Sequence, residues 1–339
     1  MARDRLTTAL EAGQLTLPAG EVTVLRPPPA YDLSALPRDQ LRLTCGFRPD
    51  LDAFAAAGYD AVSQVRPAPT MLVVVPRTKA LAHALIAEAA RHATLVIVDG
   101  QKSDGTDAIF TECRKRLGDL PSVTKAHGRL FWFAGPTDAF ADWAVPGPVK
   151  GAHGYFTAPG VFSDDAPDPG SVLLAAALPS KLPHRMADLG AGWGYLAQAV
   201  LAREGVTHLD LIEAEALALD CARLNVTDPR AAFHWADATR LKPAAAYDGI
   251  VMNPPFHVGR AADPALGRAF IAAAARMLTA GGQMWMVANR HLPYEAALHE
   301  HFREVTEIGG DGGFKLFHAA RPVSTSKPRT RSRATGARR

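Results

Sequence analysis

The chain has 339 residues, 48% hydrophobic and 21% charged, which is enough apolar content to core two domains of ordinary size. No apolar run reaches the roughly 20 residues of a membrane span, and the opening MARDRLTTAL lacks a signal peptide's apolar core, so a cytoplasmic protein is expected. Cys45, Cys113 and Cys221 lie far apart with no CxxC spacing, which argues against a disulfide framework or a zinc site and fits a reducing compartment.

Taken in chain order, residues 71–99 read as a strand (MLVVVP), a helix (KALAHALIAEAARH) and a strand (ATLVIVD). Residues 145–170 are rich in Pro and Gly and are the best linker candidate. From 185 onward the alternation is regular: strands RMADLG, HLDLIE, YDGIVM and QMWMVA, and helices YLAQAVLARE, ALALDCARLN, DPALGRAFIAAAARMLTA and YEAALHEHF. REVTEIGG and FKLFHAA across Gly312 and Gly313 predict a closing hairpin. Strands separated by helices imply an α/β fold with a mostly parallel sheet, and the hairpin adds one antiparallel strand. A shift of 114 residues lays 71–99 on the second half, setting Pro76 on Gly190, Thr78 on Gly192, Ala80 on Gly194 and Asp99 on Glu213. This reads as a duplication whose first copy has lost its glycines, or as the rhythm any two α/β units share. At the end of the chain, Arg321, Lys327, Arg329, Arg331, Arg333, Arg338 and Arg339 stand among no acids, whereas the rest of the chain is slightly acidic. The segment 322–339 is therefore expected to be a disordered basic tail, either an RNA-holding arm or a solubilising end.

The second half carries the chemistry. Gly190, Gly192 and Gly194 sit between a strand and a helix, where glycine lets the backbone turn tightly and approach a ligand; a ligand-free turn is the competing reading. Asp188 precedes the first glycine and is placed to accept from a ligand ammonium. Glu213 ends the next strand, where an acid accepts from both ribose hydroxyls or, more simply, caps a helix. Asp237 is either an acceptor for an adenine amine or a turn aspartate. Asn253, Pro254, Pro255 and Phe256 close the YDGIVM strand. Pro255 keeps residue 254 extended, Asn253 and the Pro254 carbonyl supply two acceptors for one –NH2 group, and Phe256 offers a stacking face. His257 is as well explained by solvation as by a role in the site.

These residues resemble class I S-adenosylmethionine-dependent methyltransferases acting on exocyclic nitrogens, and most closely the bacterial 16S ribosomal RNA guanine-N2 methyltransferases of the small subunit. The stretches PGVFSDDAPDPGSVLL, ADLGAGWGYLA, MNPPFHVG and MVANRHLPYEAAL…GGFKLFHAAR carry the likeness, which spans roughly residues 45–321. It implies two tandem Rossmann-like domains, the second with a mostly parallel seven-stranded sheet. It divides the chain into a degenerate domain (1–145), a linker that flanks the cofactor (146–170), a catalytic domain (171–321) and the tail (322–339). It further implies that Gly160, Val161, Phe162 and Ser163 flank the methionine end of the cofactor and that Asp188, Gly190 and Gly192 hold its amino acid part. Glu213 would bind ribose, Asp237 adenine, and Asn253 to Phe256 the target base; Trp193 departs from the family pattern and is given no role. The implied partner is ribosomal RNA, with no metal and a monomer favoured. N6-adenine or protein-glutamine methylation, and a non-catalytic RNA-binding assembly factor, remain the competing readings.

Overall fold

A computed structural model of the chain describes residues 4–145, 147–255, 257–258, 261–262 and 264–323. The first sheet begins earlier than the sequence suggests. After α1 (Arg5–Glu11) come β1 (Val22–Leu25), β2 (Leu41–Thr44), α2 (Arg48–Ala56), β3 (Ala61–Val62) and β4 (Thr70–Val74). α3 (Lys79–His92), β5 (Leu95–Gln101), α4 (Thr106–Leu117), β6 (Ser122–Lys125) and β7 (Gly128–Ala134) complete it. The strand order is β3-β2-β1-β4-β5-β7-β6, parallel except for β7, which runs against both neighbours. β1 and β4 are buried at every position because helices cover both faces.

The stretch expected as a linker contains a short hairpin, β8 (Val149–Lys150) and β9 (Phe156–Thr157), then α5 (Pro169–Ala177). The second sheet follows as β10 (Arg185–Leu189), α6 (Tyr195–Leu201), β11 (His208–Glu213), α7 (Ala216–Asn225), β12 (Ala231–Trp235) and β13 (Tyr247–Met252). A two-residue ladder, β14 (His257–Val258) and β15 (Ala261–Ala262), leads to α8 (Pro264–Met277), β16 (Leu278–Asn289), α9 (Glu295–His301), β17 (Phe302–Gly310) and β18 (Phe314–Pro322). Its order, β12-β11-β10-β13-β16-β18-β17, repeats the first sheet strand for strand. The closing hairpin is present; its antiparallel member β18 inserts between β16 and β17 rather than forming the edge. The helix before β16 stops at Met277, and Gly281 and Gly282 fall inside the strand. Among the described residues no helix is long and apolar enough to cross a membrane.

The duplication is real in topology, but its register differs from the 114-residue shift. The structural counterpart of β10 is β1, not β4, since each is the central strand at which the order reverses. Leu25 pairs with Thr44 and Val73, as Leu189 pairs with Ile212 and Met252. Gly190 therefore corresponds to Arg26, Glu213 to Cys45, and Asn253-Pro254-Pro255 to Val74-Val75-Pro76. Asp99, which the shift set on Glu213, lies in β5 and is closed off internally: Arg5 Nε and Nη2 donate to it at 2.6 and 3.2 Å, and Tyr31 Oη at 2.8 Å. Strand–helix–strand periodicity fits any two such units, so it cannot choose between β1 and β4.

Candidate active site

The carboxyl ends of β10, β11 and β13 meet where the strand order of the second sheet reverses, the usual place for a ligand in an open α/β sheet. A cleft of about 390 Å³, counted to its open mouth, lies there between Gly190, Gly192, Phe162, Ser163, Asp168, Ser171 and Asn253. Gly190, Gly192 and Gly194 have φ of +74°, +55° and +93°, a region costly for any residue with a Cβ. They serve different ends. A Cβ on Gly192 would meet nothing within 4 Å, whereas one on Gly194 would stand 2.8 Å from Val226 Cγ2, because α7 packs against that turn. Gly192→Ala should then cost about 1–2 kcal/mol from backbone strain alone, and Gly194→Ala more, since a clash is added. Thermal melting checks the order of the two. Ligand titration should show the reverse order, with the larger affinity loss for the variant whose methyl enters the cleft.

Asp188 is fully buried, and neither carboxylate oxygen has a hydrogen-bond partner. Burial, reinforced by the nearby negative charge of Glu213, pushes its carboxyl up to about 8. An acid left orphaned next to a glycine turn calls for a cationic partner. Glu213 is partly buried; Oε2 accepts from the Gly192 amide and Oε1 from the Glu215 amide, both at 2.8 Å. Burial raises its carboxyl as well, against the lowering effect of those amides. Asp237 makes a local turn: Oδ1 accepts from the Thr239 amide at 2.8 Å and hydroxyl at 2.6 Å.

Asn253 leaves the end of β13 with its amide already oriented. Nδ2 donates to Asp168 Oδ2 at 2.8 Å and to Ser171 Oγ at 2.9 Å. Those two acceptors identify the NH2 end and turn the amide oxygen away from them. Asp168 is also the N-cap of α5, accepting from the Ser171 amide at 2.8 Å, so the helix start and the asparagine share one carboxylate. Pro254 is buried and Pro255 exposed; Phe256 lies outside the described residues.

The four residues of the strap before α5 fall in two places. Phe162, 56% exposed, and Ser163 line the cleft. Gly160 and Val161 do not. A Cβ on Gly160 would fall 2.7 Å from Leu81 Cδ2 of α3, and Val161 is buried in a small cluster with Ala158, Trp193, Ala218 and Cys221. Trp193, which the sequence left without a role, is 3% exposed and donates from Nε1 to the carbonyls of Phe162 and Ser163 at 3.1 and 3.3 Å. It holds the strap beside the glycine turn. Asn225, at the end of α7, grips the same strap through Phe156 N and O at 2.7 and 2.8 Å and also donates to Trp193 O at 2.9 Å. Asp168 and Ser171 were missed as site residues, although Asp-Pro ahead of an apolar run marks a helix start.

A glycine turn after the central strand, an acid ending the next strand and Asn-Pro-Pro ending the fourth, on a sheet of this order, define a methyltransferase. The family model described as "Methyltransferase small domain" matches residues 154–318. Among curated proteins, the ribosomal RNA small subunit methyltransferase C of Shewanella pealeana is 30% identical over 260 residues, covering 73% of this chain and 76% of the relative. The protein of the same name from Hahella chejuensis is 28% identical over 250 residues, covering 70% and 72%. This chain belongs to the ribosomal RNA small subunit methyltransferase C family. The T. thermophilus 16S rRNA N2 G1207 methyltransferase, solved with AdoMet and guanosine, has the same fold along nearly the whole chain: TM-score 0.76, 24% identity, 94% of this chain and 92% of that one.

Proposed function

We propose that this protein transfers a methyl group from S-adenosylmethionine to the exocyclic N2 of a guanine in 16S ribosomal RNA, in the cytoplasm. The observation that carries the reading is the pre-oriented Asn253 amide at the rim of the glycine cleft, held by Asp168 and Ser171. The cofactor's known fit to such a site is matched by the orphaned Asp188 for its ammonium, the open face of Gly192 for its backbone approach, and Glu213 for its ribose. Each Glu213 oxygen has a lone pair left after the amide bond it accepts, so a ribose hydroxyl can be added without breaking either. Asp237 Oδ2 is assigned to the adenine amine, because Oδ1 serves the turn. Phe162 and Ser163 flank the methionine end, and Gly160 and Val161 act from behind by fixing the strap. Phe256 is assigned the base-stacking face.

When bound, S-adenosylmethionine supplies an electrophilic methyl group on a sulfonium. The chain's own residues do the positioning. The guanine amine is a poor nucleophile because its lone pair is delocalised into the ring. Accepting its N–H bonds at Asn253 and at the Pro254 carbonyl draws it toward tetrahedral geometry and aims the lone pair. Orientation of this kind is worth several kcal/mol. The alkylated nitrogen becomes acidic, so its proton leaves late and no strong general base is needed. A base stacked in a helix has to be flipped out to reach the cleft.

We assign residues 1–145 to a degenerate domain with a structural or RNA-binding role and 171–321 to the catalytic one, with ribosomal RNA of the small subunit as partner and a monomer as the working unit. Mass spectrometry of rRNA nucleosides from a deletion strain tests the substrate. Loss of one N2-methylguanosine is expected. Its persistence with loss of N6-methyladenosine would transfer the reading to adenine, and an unchanged nucleoside profile with methylglutamine lost from protein digests of the same strain would transfer it to glutamine. Removing residues 322–339, sixteen of which (324–339) lie outside the described residues, should weaken RNA binding at low salt and flatten its salt dependence. Unchanged affinity in a filter-binding titration would make the tail a solubilising end.

A further inference from the structure

The seam between the two sheets ends on the loop that carries Glu213. Past β2, the Arg48 amide donates to Ala214 O at 2.8 Å, and the Ala216 amide donates to Gly46 O at 2.9 Å. Trp235, at the end of β12, donates from Nε1 to both Ala214 O at 2.8 Å and Gly46 O at 3.2 Å. The first domain thus grips the catalytic domain at the turn immediately after Glu213.

Arg26 adds a charged clamp at that turn. It occupies the position of the first sheet that corresponds to Gly190, and it keeps the left-handed backbone, φ +54° against +74°. That conformation is strained for a residue with a Cβ, so the side chain has to repay it. Nη1 and Nη2 donate to Glu215 Oε1 and Oε2 at 3.1 and 2.6 Å, a two-point grip with the side chains only 22% and 19% exposed. The Glu215 amide in turn donates to Glu213 Oε1. Gly46 leaves room for the pair: a Cβ there would stand 2.6 Å from Glu215 Oε1 and 2.7 Å from Arg26 Nη1.

We propose that Arg26 is a positioning residue for cofactor binding: the first domain has turned its counterpart of the leading cofactor glycine into a clamp that, through Glu215, holds the amide orienting Glu213. The inference rests on the reading of Glu213 as the ribose acceptor. The degenerate domain is then a component of the cofactor site rather than a passive partner, and releasing its clamp lets the Glu213 carboxylate leave the geometry it is held in.

The test measures S-adenosylhomocysteine affinity by calorimetry on the full chain for Arg26→Ala, Arg26→Lys, Glu215→Gln, Glu213→Ala and the exchanged pair Arg26→Glu with Glu215→Arg. Arg26→Ala and Glu215→Gln should each weaken binding about tenfold and raise KM for S-adenosylmethionine, with kcat within about twofold. Arg26→Lys, which keeps the charge but not the fork, should fall between, and the exchanged pair should recover affinity over either single change. Thermal melting confirms folding, and if Arg26→Ala does not fold, Arg26→Lys and Glu215→Gln carry the test. Affinity within twofold of wild type in the clamp variants, with binding lost in Glu213→Ala, overturns the clamp and leaves the ribose reading standing. Unchanged affinity in Glu213→Ala overturns both.

Discussion

Asn253→Ala is expected to lower kcat by about 10²–10³-fold or more while cofactor affinity stays within about twofold. Asn253 sits at the rim of the cleft, and its amide is held from one side by Asp168 and Ser171. Truncation would remove the proposed acceptor for the target amine and nothing that reaches Asp188 or Glu213. The fold should survive, because Asp168 keeps its capping bond to the Ser171 amide. Single-turnover methyl transfer to rRNA, alongside calorimetry with S-adenosylhomocysteine, separates the two effects. Turnover at the wild-type rate would remove the amine-holding role from Asn253. Ser171→Ala should do less, since Asp168 alone still orients the amide.

Asp188→Asn should stabilise the protein without ligand and weaken its cofactor binding. In the folded chain the Asp188 carboxyl lies near 8, against an ordinary 3.8, because burial penalises the charge and Glu213 adds to it. A group raised on folding leaves stability intact below its ordinary value and takes it away as pH rises toward the folded one. Wild-type stability should therefore fall across the interval from 3.8 to about 8 relative to the asparagine variant, whose side chain does not titrate. By pH 8 the variant should be ahead by a few kcal/mol, and at pH 4 the two should be close. Urea melts at both values measure the difference. A cationic amino acid group selects the ionised carboxylate, so wild-type cofactor affinity should rise as pH climbs toward about 8. The variant should bind roughly 10- to 100-fold more weakly with no such rise, as loss of one charge-assisted contact implies. A constant gap in stability across pH would mean that Asp188 is not the group being titrated.

Much of the second sheet was legible because strand and helix signals alternate regularly, with one strand closed by glycine and another by Asn-Pro, and such signals act locally. Gly190, Gly192, Glu213 and Asn253 arrive in the right order along the chain, and the sheet brings their strand ends together. The first 60 residues were not read as strands. β1 and β2 are four residues each and β3 only two, too short for periodicity to stand out. The duplication was visible, but its register required the strand pairing. Asp168 gave a helix-start signal and no hint of its partner, since it meets Asn253 across 85 positions. Trp193 looked like a departure from a family pattern, and in three dimensions it secures the strap through two carbonyls.

The sequence by itself determined the α/β class, the glycine turn, the acids that follow it and the Asn-Pro-Pro stop, because each depends on backbone limits or on spacing within one strand–turn–helix unit. Tertiary structure decided which groups hold the Asn253 amide, which carboxylate is left without a partner, and where the first domain grips the Glu213 loop. Those depend on contacts between residues far apart in the chain. Hydrogen-bond direction, desolvation and packing distance act through space, and no local pattern encodes them.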